Sequence, residues 1–165
     1  MLINFLAFQL GWFCAIYFHS GWAALLCILL AVFNFYLSSK VFVRTLVLGL
    51  VIATIGFLND YLLIKFAIIQ LPTGDYFPWW LYALWILFLS TFGGFLAGFK
   101  HFNIFILSML GAAGGSISYC VAAKLGAFTY NITYIPEFAF HAINWLVLFP
   151  ILFLLFQRLN STICK

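Results

Sequence analysis

Charge is what this sequence has least of: seven Lys and Arg and three Asp and Glu among 165 residues, against 67% hydrophobic residues. That balance excludes a soluble globule, because a compact domain in water needs a polar skin. The bilayer is then the solvent for most of the molecular surface. Cysteine is also sparse. Cys14, Cys27, Cys120 and Cys164 have neither CxxC spacing nor the pattern of a disulfide framework, and three of them fall in apolar runs, where a thiol behaves as a small hydrophobe. With no HExxH motif and no Cys/His cluster, neither a metal nor a cofactor is expected. Most glycines sit inside apolar runs and the rest stand singly in turns, so no nucleotide-cradling loop can be drawn, and no Ser, His and acid set assembles. A net charge of +4 is too thin for nucleic acid. The apolar runs also lack the polar–apolar alternation of a membrane β-barrel.

What is present is long apolar stretches. A spanning helix takes about 20 apolar residues, and six spans can be drawn, at about 2–18, 22–37, 46–69, 79–99, 103–123 and 138–156. The expected fold is all-α: one polytopic transmembrane helical domain over 1–165, a bundle of about six helices with no soluble domain. Met1 leads directly into Leu2 and Ile3 without a basic region, so the first run reads as a retained span. The turn Leu71-Pro72-Thr73-Gly74-Asp75 separates the third and fourth spans. Orientation follows the Lys and Arg bias: with both termini cytoplasmic, Lys40, Arg44, Lys100, Arg158 and Lys165 lie inside, leaving Lys65 and Lys124 outside. Tyr17, Trp22, Tyr76, Trp79, Trp80, Tyr82, Tyr130 and Tyr134 then gather at the outer interface, with only Tyr36 comparable on the inner side. Either an outward-facing aromatic cleft or simple helix tilt accounts for that asymmetry.

Three spans carry small residues at helical spacing: Gly49, Ala53 and Gly56 in the third; Gly94 and Gly98, a GxxxG pair, in the fourth; Gly111 and Gly115 in the fifth. Such stripes let helix backbones approach closely. The next position on the face of Gly49, Ala53 and Gly56 is Asp60, so the stripe turns this carboxylate towards the bundle interior, with Thr54 and Asn59 pointing elsewhere.

Asp60 is the leading candidate residue, since a charge near the centre of a span costs roughly 2.5–3.5 kcal/mol on insertion scales and needs a partner, a proton or water. It reads either as a ligand or proton site or as an interhelical hydrogen bond, with Asn4, Gln9 and Asn34 as available partners. A second group, Glu137, His141 and Asn144, is spaced four and three apart on one face at the start of the last helix. It reads as a capped interfacial helix start just after Pro136 or as an acid–base pair opening outward. His19 and His101 adjoin span ends and read as interfacial. The sequons at Asn131 and Asn160 match a pattern common by chance.

Asn4-Phe5, Phe8-Gln9 and Gly11-Trp12, followed by Asp60, Pro78-Trp79, Leu84-Trp85, Gly114-Gly115 with Tyr119, Trp145 and Phe149-Pro150, carry a resemblance over nearly the whole chain. The chain resembles the bacterial inner-membrane family catalogued as domain of unknown function 2878. The resemblance implies a multi-span inner-membrane protein and assigns no activity. The expected function is binding of a small amphipathic or lipid-derived molecule, as a component of a transport or lipid-modification system. Rival readings are an intramembrane enzyme acting on a lipid or isoprenoid and a purely structural membrane partner. Membrane lipids, a small amphipathic ligand and a membrane protein partner are the expected associates.

Overall fold

Uninterrupted Leu, Phe, Ile and Ala runs satisfy their backbone polar groups internally only as helices when water is excluded, and the chain is helical almost throughout. The structure is a computed structural model that describes residues 2–38, 42–72 and 77–162. Lys40, the turn residues Thr73, Gly74 and Asp75, Tyr76, Cys164 and Lys165 lie outside the described residues. In chain order the elements are α1 (Leu2–Phe18), α2 (Gly21–Ser38), α3 (Phe42–Lys65), β1 (Ile69–Gln70), α4 (Trp79–Ser90), a 3-10 helix (Phe95–His101), α5 (Ile104–Lys124), β2 (Thr129–Tyr130) and α6 (Glu137–Thr162). Among the described residues three stretches, Leu46–Lys65, Ile104–Lys124 and Glu137–Leu159, are long and apolar enough to cross a membrane; Leu2–Phe18, Gly21–Leu37 and Trp79–Ser90 are shorter apolar helices.

The third helix stops at Lys65, four residues short of the expected end at 69. Its last turn closes with Ala67 N–H donating to the Ile64 carbonyl and Ile68 N–H to the Leu63 carbonyl, which stops the α-helix and turns the chain. Ala67 takes the left-handed conformation this cap requires, at φ 55°. The end of α5 uses the same arrangement: Gly126 N–H donates to Ala123 and Ala127 N–H to Ala122, and here glycine supplies the positive φ of 84° without steric cost. The two caps deliver their chains side by side. Ile69 pairs with Tyr130 and Gln70 with Thr129 in a short antiparallel ladder, extended by Asn131 N–H donating to the Ile68 carbonyl. This ladder interrupts the otherwise all-α architecture and ties the α3–α4 connection to the α5–α6 connection.

The expected fourth helix, 79–99, is also corrected. It is α-helical only to Ser90. The hydroxyls of Ser90 and Thr91 fold back onto the carbonyls of Leu87 and Phe88, both at 2.6 Å, and the backbone N–H groups of Thr91 and Phe92 donate three residues back. Gly93 and Gly94 follow, where helix propensity is lowest among residues other than proline. The chain resumes as the 3-10 helix. With about three residues per turn there, positions i and i+4 share no face. Gly94 and Gly98 are therefore not a helix-packing pair: Gly94 lies against the Asn4 side chain and Gly98 is exposed.

α5 packs on α6, α4 lies against α2, α3 and α1, and α3 also meets α6. The His19 ring, in the α1–α2 turn, meets Trp80 edge-on at 5.3 Å, which brings that turn to the same end of the bundle as the start of α4 and the ladder. Asn4 beside Gly94 marks the opposite end. The helices thus alternate in direction, as short connections between packed neighbours require. The core between them is aromatic: Trp85 and Trp145 stack at 5.6 Å and 6°, and Phe88, Phe92, Phe149 and Phe153 continue the column through edge-to-face contacts and one further stacked pair, Phe149 on Phe153.

Candidate functional site

The small-residue face of α3 is buried along its length. Gly49 lies against the Phe35 ring of α2 and Gly56 against the Trp85 indole of α4, so that a Cβ at either would overlap the ring; Ala53 is enclosed between them. One turn further on, this face carries Asp60, only 1% exposed. The carboxylate receives three hydrogen bonds from three different places. Trp85 Nε1 donates to Oδ2 at 2.7 Å, the Tyr119 hydroxyl of α5 to Oδ1 at 2.6 Å, and the neighbouring Asn59 Nδ2 to Oδ1 at 3.2 Å. Helical spacing directs Asn59 elsewhere, yet, adjacent along the helix and half-buried, it bends back across one backbone step to reach the carboxylate. Thr54 does face outward, sharing a hydrogen bond with the Tyr82 hydroxyl at 3.0 Å.

The polar partners expected for Asp60 lie apart from these donors. Asn34 of α2 donates to the Asn4 carbonyl of α1 at 3.3 Å and to Ser90 Oγ of α4 at 3.1 Å, forming a second buried contact that joins three helices. Gln9 does reach the surroundings of Asp60, because both line one cavity.

That cavity, of about 370 Å³, opens between five α-helices and the 3-10 helix. α1 contributes Phe8, Gln9 and Trp12; α3 contributes Asp60 and Ile64; α4 contributes Trp80, Leu84 and Trp85; α5 contributes Gly114, Gly115, Ser118 and Tyr119; α6 contributes Trp145 and Phe149. Its size falls in the range of small-molecule sites, as does its make-up of apolar and aromatic walls with a few convergent polar groups. Among the described residues, none of the lining side chains is Lys, Arg or His. The walls owe their closeness to glycines: a Cβ at Gly115 would overlap the Trp145 ring, and one at Gly111 would meet Phe149 and the Trp145 backbone.

Glu137, His141 and Asn144 do not form one group. Glu137 is exposed at the first residue of α6, while His141 is fully buried. A four-residue step puts them on one side of the helix but at different depths, since only the first turn reaches past the packed neighbours. The His141 ring lies 4.1 Å from that of Tyr119 and 5.5 Å from that of Tyr130. Neither ring nitrogen of His141 has a hydrogen-bond partner among the described residues, and the same holds for Asn144 Nδ2 and the Tyr130 hydroxyl. Burial, and then the charges of Cys120, Glu137 and Asp60, push the Tyr130 phenol above its usual range, so it remains a neutral hydroxyl. Burial lowers the His19 imidazole and keeps it neutral beside Trp80.

The expected gathering of aromatics at one interface divides in two. Tyr17, Trp22, Trp79 and Tyr134 are exposed, whereas Trp80 turns inward to the cavity. Neither chemistry nor spacing in the sequence marks Trp85, Tyr119 and Trp145 as site residues. The family resemblance does: Phe8-Gln9, Trp12, Asp60, Leu84-Trp85, Gly114-Gly115, Tyr119, Trp145 and Phe149 all carry it, and all line this one cavity.

Apolar helices of this length, enclosing an aromatic cavity lined by the buried Asp60 carboxylate, define a helical membrane protein. The chain belongs to the DUF2878 family, described as a protein of unknown function, whose model matches residues 1–151. No curated protein and no solved structure matches the chain.

Proposed function

We propose that this is a six-span inner-membrane protein that binds a small amphipathic or lipid-derived molecule in the cavity around Asp60, within a transport or lipid-modification system. The observation that carries the reading is the cavity itself. A void of about 370 Å³ walled by Trp, Phe and Leu, with Gln9, Asp60, Ser118, Tyr119 and the tryptophan N–H groups as its polar groups, suits a ligand with an apolar body and one polar end.

Six spans are supported by the alternating helix directions and by lengths of 17 and 18 residues in α1 and α2, roughly 26 Å at about 1.5 Å per residue. In α4 the continuation through the 3-10 helix makes up for a short α-helical part. Lys65 and Lys124 both lead into the ladder end, while Arg44, Lys100 and Arg158 belong to the other end. The Lys and Arg bias favours that second end, and with it both termini, on the cytoplasmic side.

Gly114 provides the test, because it lines the cavity and a Cβ there meets nothing within 4 Å. Gly114→Phe introduces a ring at the cavity wall from a Cβ position that no neighbouring helix occupies. Native mass spectrometry of protein extracted from membranes should show a lipid-sized adduct on the natural chain and little or none on Gly114→Phe. An adduct absent from both, or retained in full by the filled variant, refutes the proposal.

A further inference from the structure

The chemical class of the ligand's polar end follows from what surrounds Asp60, and it rests on the cavity being a binding site. Every hydrogen bond to the carboxylate comes from a donor: the Trp85 indole, the Tyr119 hydroxyl and the Asn59 amide. These fix the carboxylate from the protein side while it still faces the cavity as an acceptor, since its two oxygens offer about four lone-pair sites. No basic side chain lines the cavity among the described residues, so the ionised form carries a charge that the walls do not balance. An anionic end would be repelled there, and an acceptor-only end would find no use for Asp60.

We infer that the ligand is an amine-bearing amphiphile, with its ammonium group donating to Asp60 and its apolar chain lying against Trp12, Leu84 and Phe149. The ammonium brings both the donor and the opposite charge, the combination that makes charge-assisted hydrogen bonds the strongest class.

The probes are three photoactivatable dodecyl compounds that differ only in the head: dodecylamine, dodecanol and dodecanoate. They are applied to the full chain in lipid nanodiscs at neutral pH, where an alkylamine is protonated, and labelled peptides are mapped. Dodecylamine should label the cavity helices about tenfold more than dodecanol, an advantage near 1.4 kcal/mol, and dodecanoate should label least. Asp60→Asn should bring the amine down to the level of the alcohol, while Asp60→Glu keeps the preference. Equal labelling by amine and alcohol, or stronger labelling by dodecanoate, overturns the amine assignment and leaves the binding cavity standing. No cavity labelling by any probe overturns both. If Asp60→Asn does not fold, the ranking of the three heads on the natural chain still decides.

Discussion

Asp60 and His141 show how differently two buried polar side chains can be held. Asp60 has a donor on each oxygen, so its burial is offset by hydrogen bonds to a charged group, each worth about 1.5–3 kcal/mol. His141 is as deeply buried, against Tyr119, Tyr130 and Phe140, yet makes only ring contacts among the described residues. A buried polar group without a partner costs about 1–3 kcal/mol. His141→Phe, which keeps the ring and removes the nitrogens, is therefore expected to stabilise the protein by about 1 kcal/mol, read as a raised Tm in detergent. A lowered Tm would mean that the imidazole has a polar partner. That Asp60 faces inward could be read from its place one turn beyond Gly49, Ala53 and Gly56. Its donors could not, because Trp85 and Tyr119 stand 25 and 59 positions away in the chain and no local spacing links them.

At the scale of elements, adjacent glycines in α5 have opposite roles. Gly115 lies against the Trp145 ring, whereas a Cβ on Gly114 enters open space. Gly115→Ala should destabilise by about 1–3 kcal/mol through overpacking. Gly114→Ala should stabilise by up to about 1 kcal/mol, the helix-propensity gain of Ala over Gly. Thermal unfolding of the two variants side by side checks the pair, and equal effects would contradict the helix contact. The stripe at Gly111 and Gly115 was legible because close helix approach demands small residues at that spacing. The Gly94 and Gly98 stripe looked the same in sequence and is not one. Ser90, Thr91 and the two glycines after Phe92 break the α-helical period before the second glycine is reached.

For the whole molecule, the proposed orientation puts the β1–β2 ladder and the α5–α6 connection on the periplasmic side of the inner membrane. A single cysteine at Thr133, an exposed residue of that connection, placed in a chain with its natural cysteines replaced, should react with a membrane-impermeant maleimide on intact spheroplasts. Labelling only after lysis would reverse the orientation. The sequence by itself determined that the chain is helical and lives in a bilayer, because hydrophobicity and the scarcity of charge act residue by residue and need no knowledge of neighbours. It also determined that Asp60 sits on the small-residue face of its helix, since helical periodicity is a local property. Only the tertiary structure decided which side chains answer Asp60, that Glu137 and His141 part company, and that residues from five α-helices and the 3-10 helix enclose one cavity. Those facts depend on how distant helices abut, and that is set by ring and glycine shapes meeting across the bundle.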